Sequence, residues 1–321
     1  DLSEPEVERL RAEVGKFMAE RPLVFADNDR PGVMLAGAAL AYLQRFAVAP
    51  DGPALIVTNN DSAYRTAHAL KAAGIAVTVA DTRATVAPAL AEGLDLELNA
   101  RIVGVTGAKG VRAAQLLRGR PCALVAVAGG WSPAVHLTSH TGIKPRWDER
   151  LAAFLPGGFA ANHAGCGAVI GQFALGEAVA QGFAAGRAAA AVLGHAGDAG
   201  APALHELAAP ELPAYGAEGE ALWEMPNPRK KKAFLDFQND VSAKDVAQAY
   251  DEGYRSVEHL KRYTTLGMGT DQGKTSNVNA LAIMAGLRDV TIPEAGTTTF
   301  RPPFTPLALG ALAGRAVGKH F

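Results

Sequence analysis

Cysteine is scarce in this sequence: its 321 residues include only Cys122 and Cys166. Two cysteines can build neither a disulfide framework nor a four-cysteine metal site. The sequence also has no large excess of positive or negative charge, because its net charge is −1. This balance gives no electrostatic reason to expect nucleic acid or an acidic membrane as partner. No apolar run approaches the roughly 18–20 residues that span a bilayer, and no signal peptide is visible. We therefore expect a protein of a reducing, cytoplasmic compartment.

Alternating strand and helix patterns are what the sequence does contain. Apolar residues make up 49% and charged residues 20%, and the length suffices for two or three domains. The alternation predicts an α/β layer with a mainly parallel sheet. The predicted elements are helices at 4–15 (capping box Ser3 and Glu6), 31–46 and 63–73, and strands at 54–58, 76–80, 94–98, 101–106 and 122–128.

The stretch LIVTNNDSAYRTAHALKAAGIAVTVADTR, residues 55–83, has the outline of a nucleotide-binding unit without its glycines. A dinucleotide turn needs glycines so that the backbone can approach the pyrophosphate. Here Asn59 and Asn60 occupy that space, and Asp61 places a negative charge at the helix N-terminus, which repels a phosphate. Asp81, at the end of the second strand, is at the position of the acidic residue that contacts the ribose in a dinucleotide site. We interpret the unit as a structural half-domain rather than a nicotinamide site.

A glycine- and alanine-rich run over 158–191 predicts a short strand, a glycine turn and a long helix. The turn is Gly165-Cys166-Gly167-Ala168. Glycines at a helix start let backbone amides face a phosphate, but glycine and alanine equally suit close packing on a sheet, and both readings stay open. Cys166 lies at the helix start, where a thiol pKa can fall, yet the sequence offers it no base partner.

The chain beyond this run is divided by composition. Residues 195–232 are rich in Ala, Pro and Glu and are interpreted as a linker. Short capped helices follow, predicted at 242–253, 256–267 and 276–286. These patterns predict four parts: an α/β domain at 1–194, the linker at 195–232, a helical domain at 233–290 and a tail at 291–321.

The turn Thr270-Asp271-Gln272-Gly273-Lys274-Thr275-Ser276 resembles the end of a phosphate loop. The first glycine of that motif would fall on Met268, and the turn follows a helix instead of a strand, so an ATPase is disfavoured. A glycine and a lysine at a helix start still favour anion binding, against the alternative of a solvated basic face. The residues predicted to surround the phosphate are Lys261, Arg262, Thr264, Thr265, Gln272, Gly273, Lys274 and Thr275. No catalytic set and no metal-ligand spacing can be assigned.

Several stretches carry a resemblance to a known family. They are ERPLVFADNDRPGVMLAGAALAYL, AGGWSPAVHL, GTTTFRPPFTPLALGAL and, most specifically, KAFLDFQNDVSAKDVAQAYDEGYRSVEHLKRYTTLGMGTDQGKTSN. Together they resemble the alpha subunit of heterotetrameric sarcosine oxidase, from Glu20 to Phe321. The resemblance implies a pyridine nucleotide–disulfide oxidoreductase-like, Rossmann-type fold, in which the α/β domain at 1–194 is FAD/NAD(P)-binding-like. It also implies a glycine-rich unit before residue 1 and a folate-binding domain after Phe321, both of which this sequence lacks.

The resemblance also implies function, cofactors and partners. The family oxidises sarcosine to glycine with formation of hydrogen peroxide and passes the one-carbon unit to tetrahydrofolate. We therefore expect an FMN shared with a beta subunit, an NAD or FAD at Gly165–Ala168, and smaller gamma and delta subunits. The turn at 270–276 is the candidate site for the FMN phosphate. The alternatives are the alpha subunit of a related amino-acid or opine dehydrogenase, and a non-catalytic interaction scaffold.

The helical domain further resembles the [2Fe-2S] domain of bacterioferritin-associated ferredoxin. The positions that correspond to the cluster ligands are Asp236, Gln238, Asp271 and Ser276. An iron–sulfur cluster needs thiolates, and none of the four is a cysteine. We therefore expect a small, all-helical ferredoxin-like domain without its cluster.

Overall fold

The computed structural model describes residues 18–116, 118–195 and 221–303, and positions 305, 307–313, 315 and 318. The helix predicted at 4–15 lies outside these residues. Fourteen strands occur among them: β1 (Met18–Glu20), β2 (Val33–Leu35), β3 (Ala54–Thr58), β4 (Val77–Asp81), β5 (Asp95–Glu97), β6 (Gly104–Thr106), β7 (Ala113–Gln115), β8 (Gly119–Pro121), β9 (Leu124–Ala128), β10 (Trp131–Pro133), β11 (Arg146–Asp148), β12 (Ala153–Leu155), β13 (Phe234–Asp236) and β14 (Val241–Ser242).

Ten α-helices and one 3-10 turn accompany the strands in the described part of the chain. The helices are α1 (Ala36–Phe46), α2 (Ser62–Ala72), α3 (Pro88–Ala91), α4 (His136–Ser139), α5 (Leu175–Val192), α6 (Ala243–Asp251), α7 (Val257–Thr264), α8 (Asn277–Arg288), α9 (Ile292–Ala295) and α10 (Leu309–Ala313). The 3-10 turn spans Gly167–Ile170. None of these helices is both long and apolar enough to cross a lipid bilayer.

A five-stranded parallel sheet in the order β2-β9-β3-β4-β5 forms the centre of the α/β layer. Its strands β3 and β9 are buried at every position, as expected when both faces of a parallel sheet are covered. One face packs against α1 and α2 through Ile56, Tyr64 and Leu70. The other face packs against the antiparallel sheet β6-β7-β8. The predicted α/β fold with a parallel layer is confirmed.

Two elements predicted around the parallel sheet differ from the structure. The helix predicted to begin at Pro31 begins at Ala36, because Val33–Leu35 instead forms β2 and pairs in parallel with β9. The strand predicted at 101–106 covers only Gly104–Thr106 and pairs antiparallel with β7, outside the parallel sheet. In both places a three-residue strand is too short to produce a periodic signal of its own.

The C-terminal unit combines α6, α7 and α8 with the hairpin β13–β14. The hairpin corrects the expectation that this unit is all-helical. Its apolar core contains Leu235, Val246, Leu260 and Met284, and also Val24 from the N-terminal part of the chain. The unit is therefore packed directly onto the α/β layer.

The predicted linker is only partly described, because residues 196–220 lie outside the described residues. Its end, 221–232, packs on the α/β layer, since Met225 is 1% exposed in the core and its N–H donates to Val24 O at 2.7 Å. Lys231 Nζ pairs with Asp27 at 2.5 Å. Leu222 and Met225 therefore pack on the layer, and the linker at 195–232 stays a prediction.

Candidate functional site

The turn after β3 closes on itself through its own side chains. Asn60 N donates to Thr58 Oγ1 at 3.0 Å, and Asn60 Oδ1 accepts from Ser62 N at 3.1 Å. Asn60 Nδ2 also donates to Ala128 O at 3.1 Å. The Asn60 side chain thus accepts the hydrogen bond of the first N–H group of α2, which a phosphate would otherwise accept.

Asp81 at the end of β4 is fully buried and committed to protein partners. Its carboxylate accepts from Tyr64 OH at 2.9 Å and from Arg83 Nη2 at 2.8 Å. Arg83 Nη1 also pairs with Asp61 at 2.6 Å, so one guanidinium joins the two carboxylates. Burial and the neighbouring Asp81 carboxylate raise the pKa of Tyr64. The Asp81 carboxylate that a ribose would contact is thus bonded to protein groups, and sequence reasoning missed the part that Arg83 plays.

The glycine turn at 165–168 lies beside a cavity of about 450 Å³. The cavity is mainly apolar and is lined by Leu137, Phe159, Cys166 and Ala178 among others. Two expectations for this region are wrong. No strand occurs at 158–166, and the turn leads into the 3-10 turn at Gly167–Ile170, while α5 begins only at Leu175.

One amide of this glycine turn already has a partner. Gly167 has a φ of +63°, and its N–H donates to Gln181 Oε1 at 2.8 Å. A ligand at this turn would therefore be held mainly by the apolar wall of the cavity. The structure brings Gly165, Cys166, Gly167 and Ala168 together on that wall.

The turn at 270–276 is held by the carboxylate of Asp271. Gly273 N donates to Asp271 Oδ1 at 2.9 Å, and Thr275 Oγ1 and Thr275 N donate to Oδ2 at 2.9 and 3.4 Å. The left-handed φ values of Gln272 (+51°) and Gly273 (+72°) curl the backbone around this carboxylate. An anion at these two amides would have to displace Asp271.

Lys274 lies on the inner side of the same turn. Its Nζ donates to Asp271 O at 3.1 Å, and burial lowers its pKa. His136, 3% exposed, is nearby, and burial together with the Lys274 charge lowers the His136 pKa to about 4. The His136 ring packs on Phe300 with centroids 3.9 Å apart. Lys274, His136 and the chain at 297–300 thus meet at one place.

The upstream cations and hydroxyls predicted for the phosphate have partners elsewhere. Lys261 Nζ donates to Thr299 O at 3.1 Å, and Arg262 pairs with Glu258 at 3.2 Å. Thr264 Oγ1 donates to Leu260 O at 2.7 Å, and Thr265 Oγ1 donates to Thr264 O at 2.5 Å. Within the described residues, none of these recorded contacts reaches 270–275. Gln272 Nε2, in the turn itself, donates to Pro303 O.

Three of the four positions that correspond to cluster ligands, Asp236, Gln238 and Asp271, carry side chains that bond to the surrounding loops. Asp236 accepts from Gln238 N at 2.9 Å and from Gly267 N at 2.7 Å. Gln238 Oε1 accepts from Thr270 Oγ1 at 3.0 Å, and Asp271 holds its own turn. Ser276 is 1% exposed. Side-chain oxygens therefore act here as the acceptors of loop N–H and O–H groups, and no cluster ligand set exists at these four positions.

The described part of the chain contains no cluster of side chains that would indicate a metal site. No group of three or more histidine, cysteine, aspartate or glutamate side chains lies there in an arrangement that could hold a metal ion. The two cysteines differ in their surroundings, because Cys122 is buried in the layer core and Cys166 lines the 450 Å³ cavity.

The sequence of this chain is similar to those of sarcosine oxidase alpha subunits. Residues 230–315 match the sarcosine oxidase A3 domain. The chain is 43% identical to the alpha subunit of sarcosine oxidase from Rhizobium meliloti, over 98% of this chain and 32% of that protein. It is 38% identical to the corresponding protein of Corynebacterium sp. strain P-1, over 94% of this chain and 33% of that protein. The chain thus spans about a third of the length of these relatives.

Two more distant similarities bear on the alternatives and on the fold. The A subunit of opine oxidase from Agrobacterium tumefaciens is 25% identical over 92% of this chain and 67% of that protein. Among solved structures, L-proline dehydrogenase from P. horikoshii superimposes with a TM-score of 0.68 at 19% identity, covering 92% of this chain and 57% of the other. This structural likeness concerns the fold alone, and it agrees with the Rossmann-type layer.

Proposed function

We propose that this chain, which is homologous to about a third of the sarcosine oxidase alpha subunit, serves as the nucleotide- and flavin-binding platform of such an enzyme. The reaction would be the oxidative demethylation of sarcosine to glycine, with hydrogen peroxide as a product and transfer of the one-carbon unit to tetrahydrofolate. The chain would act with beta, gamma and delta subunits in the cytoplasm.

The similarity of 43% over 98% of this chain is the observation that carries the proposal. The alternative, a component of an opine or amino-acid dehydrogenase, rests on a weaker similarity, 25% for the opine oxidase relative. The four cluster positions support the same choice, because a chain with two aspartates, a glutamine and a serine there cannot pass electrons through a [2Fe-2S] centre. We therefore assign a binding role to this region.

An FMN phosphate at the 270–276 turn is part of the proposal. Lys274 supplies a positive charge, and Gln272, Gly273 and Thr275 supply donors. The fit has one obstacle, since Asp271 accepts from Gly273 N and from Thr275. Phosphate binding would require the Asp271 carboxylate to turn away or to be neutralised. Bound flavin would supply the electron-accepting chemistry, while these residues would bind and orient its phosphate.

A second nucleotide, NAD or FAD, is proposed for the cavity beside Gly165–Ala168. The cavity volume of about 450 Å³ is within the usual range for small-molecule sites. Its walls are apolar, and Gly167 N is already bonded to Gln181 Oε1. These residues therefore fit the ring of a nucleotide better than its phosphates.

Co-expression with a beta-type subunit tests the proposed function. We expect the purified complex to show a flavin absorption spectrum and to form peroxide from sarcosine and oxygen, and the isolated chain to form none. Peroxide from the isolated chain well above a buffer control would be inconsistent with a platform role. A complex that oxidises an opine or another amino acid but not sarcosine would favour the dehydrogenase alternative.

A non-catalytic scaffold is the second candidate, and the ion pairs of Arg83 with Asp61 and Asp81, which occupy the carboxylate that a ribose would contact, favour it. In that case the complex would form and lack flavin. Flavin absorbance per complex, measured after gel filtration, separates the two candidates, because a platform retains flavin and a scaffold does not.

A further inference from the structure

A small internal cavity of about 30 Å³ lies where β10, the 270–276 turn and the chain at 297–300 meet. Its wall includes Ser132, Lys274, Asn277 and Phe300. One water molecule needs roughly 10–15 Å³ of such space and two to four polar partners. The volume therefore admits one or two water molecules and is too small for an organic ligand.

Two buried polar atoms belong to residues on this wall. Ser132 is 6% exposed, and its Oγ has no hydrogen-bond partner within the described residues. Asn277 is 4% exposed; its Nδ2 donates to Thr298 Oγ1 at 3.1 Å, whereas its Oδ1 accepts from none of the described groups. Buried polar atoms of folded proteins almost always have a partner, and an ordered water is the usual one when no protein group is in reach.

We propose that this cavity is a binding site for one internal water molecule held by Ser132 Oγ and Asn277 Oδ1. The chemistry of the wall selects water among small occupants. An anion is disfavoured, because Asn277 Oδ1 presents only lone pairs. A cation is disfavoured by Lys274 in the same wall. Water can donate to Asn277 Oδ1 and can either donate to or accept from Ser132 Oγ.

The water would join three parts of the chain that lie far apart in the sequence. Ser132 belongs to β10, Asn277 begins α8, and Asn277 Nδ2 already bonds the segment at 297–300 through Thr298. The site would thus link the α/β layer, the helical unit and this segment beside Lys274. It does not depend on the proposed function of the chain.

A crystal structure of the chain at a resolution that shows ordered waters is the direct test. We expect a spherical density peak within hydrogen-bond distance of Ser132 Oγ and Asn277 Oδ1. Crystals soaked in sodium bromide should show no anomalous peak at that position. An empty cavity or an anomalous bromide peak there would overturn the proposal.

Urea unfolding of two matched serine variants gives an independent readout. Ser132→Ala removes one partner of the water and should lower the folded-to-unfolded ratio roughly fivefold, as expected for one hydrogen bond. Ser276 is also buried and also without a partner for its Oγ among the described residues, but it does not line this cavity. Ser276→Ala should therefore leave the ratio unchanged or raise it. Equal effects of the two substitutions would count against the water site.

Discussion

Glu20 is an acidic side chain in the interior, beside the first turn of α1. It is 7% exposed, and its Oε2 accepts from Gly37 N at 2.8 Å. A Cβ at position 37 would lie 2.7 Å from that oxygen, so any larger residue there would make the Glu20 side chain shift. Burial raises the pKa of Glu20 to about 8, although the Gly37 hydrogen bond opposes this. At the residue scale, a single buried carboxyl group thus holds a proton near neutral pH.

Glu20 predicts a loss of stability at mildly alkaline pH. Its folded pKa of about 8 lies above the ordinary value of 4.5, so the folded state binds more protons between these values, and stability falls as pH rises through that window. From pH 7 to pH 8 we expect the free energy of unfolding to fall by about 1 kcal/mol from this group. Urea unfolding at the two pH values measures the change.

Glu20→Gln keeps an acceptor for Gly37 N and should remove most of this pH dependence. His136 does not interfere, because its folded pKa of about 4 lies below the ordinary value of 6.5, and its contribution is lost only as pH falls below about 6.5. An unchanged difference between pH 7 and pH 8 in Glu20→Gln would show that another group is responsible.

Lys274 provides the residue-scale test of the FMN phosphate proposal. A lysine–phosphate hydrogen bond contributes roughly 1.5–3 kcal/mol, so Lys274→Ala should weaken FMN binding at least about tenfold. The measurement is FMN retention, and the rate of flavin incorporation, in the complex assembled with a beta-type subunit. Lys244, which is exposed on α6, gives the control Lys244→Ala, which should match the wild type.

Asp271 provides a second variant for the same test, because its carboxylate accepts hydrogen bonds from the N–H groups of Gly273 and Thr275 that a phosphate would need. If the phosphate binds at the turn, Asp271→Asn should not weaken FMN binding, since it removes a competing negative charge. A loss of FMN in Asp271→Asn together with normal binding in Lys274→Ala would place the phosphate elsewhere.

At the scale of elements, apolar periodicity predicted the longer strands and helices and missed the three-residue strands. The strand predicted at 54–58 coincides with β3, and the helix predicted at 63–73 is α2 shifted by one residue. In contrast, β2 was hidden because its three apolar residues join the pattern of the helix that follows. Periodicity identifies the buried face of an element, but it cannot show which neighbouring strand a three-residue strand such as β2 pairs with.

The candidate site was less predictable than the fold for a related reason. The sequence placed Gly273, Lys274 and Thr275 at the start of a helix, and α8 does begin at Asn277. It could not show that left-handed residues at 272 and 273 turn the amides towards Asp271. It also could not show that Arg83 joins Asp61 to Asp81. Both depend on loop conformations, which a linear pattern does not determine.

The contact between the hairpin β13–β14 and the α/β layer gives an element-scale prediction. Asn28 is 2% exposed; its Nδ2 donates to Phe234 O at 2.8 Å, and its Oδ1 accepts from Phe234 N at 2.7 Å. Asn28→Ala leaves two buried backbone groups without partners and should cost about 2–4 kcal/mol of unfolding free energy. Urea denaturation followed by circular dichroism measures it.

Asn227 supplies a matched control with the same geometry in solvent. Its side chain donates to Lys231 O at 2.6 Å and accepts from Lys231 N at 3.1 Å, and both bonds are exposed. Water can replace these bonds, so Asn227→Ala should cost less than about 1 kcal/mol. Similar costs for the two substitutions would mean that burial of the Asn28 pair is not what stabilises the contact.

At the scale of the whole molecule, the short segment at 22–25 contributes side chains to two cores. Leu23 and Phe25 lie in the core of the α/β layer, whereas Val24 between them lies in the core of the helical unit. Backbone bonds run along the same segment, since Val24 O accepts from Met225 N at 2.7 Å and Pro22 O accepts from Asn279 Nδ2 at 2.9 Å. Removing one core would therefore expose side chains of the other.

This shared segment predicts a single cooperative unfolding transition. Val246 is fully buried in the helical core, and Val246→Ala should lower the unfolding free energy by about 2 kcal/mol through lost burial and a cavity. Trp131 and Trp223 lie outside the helical unit, whereas Trp147 packs against Val257 and Leu281 of that unit, so fluorescence is measured in a Trp147→Phe background. Because unfolding of one core disrupts the other, tryptophan fluorescence and far-ultraviolet circular dichroism should shift to lower urea together. A shift of the circular dichroism transition with unchanged fluorescence would mean that the two units unfold independently, and the segment at 22–25 would then be a contact between separate domains and not a common core.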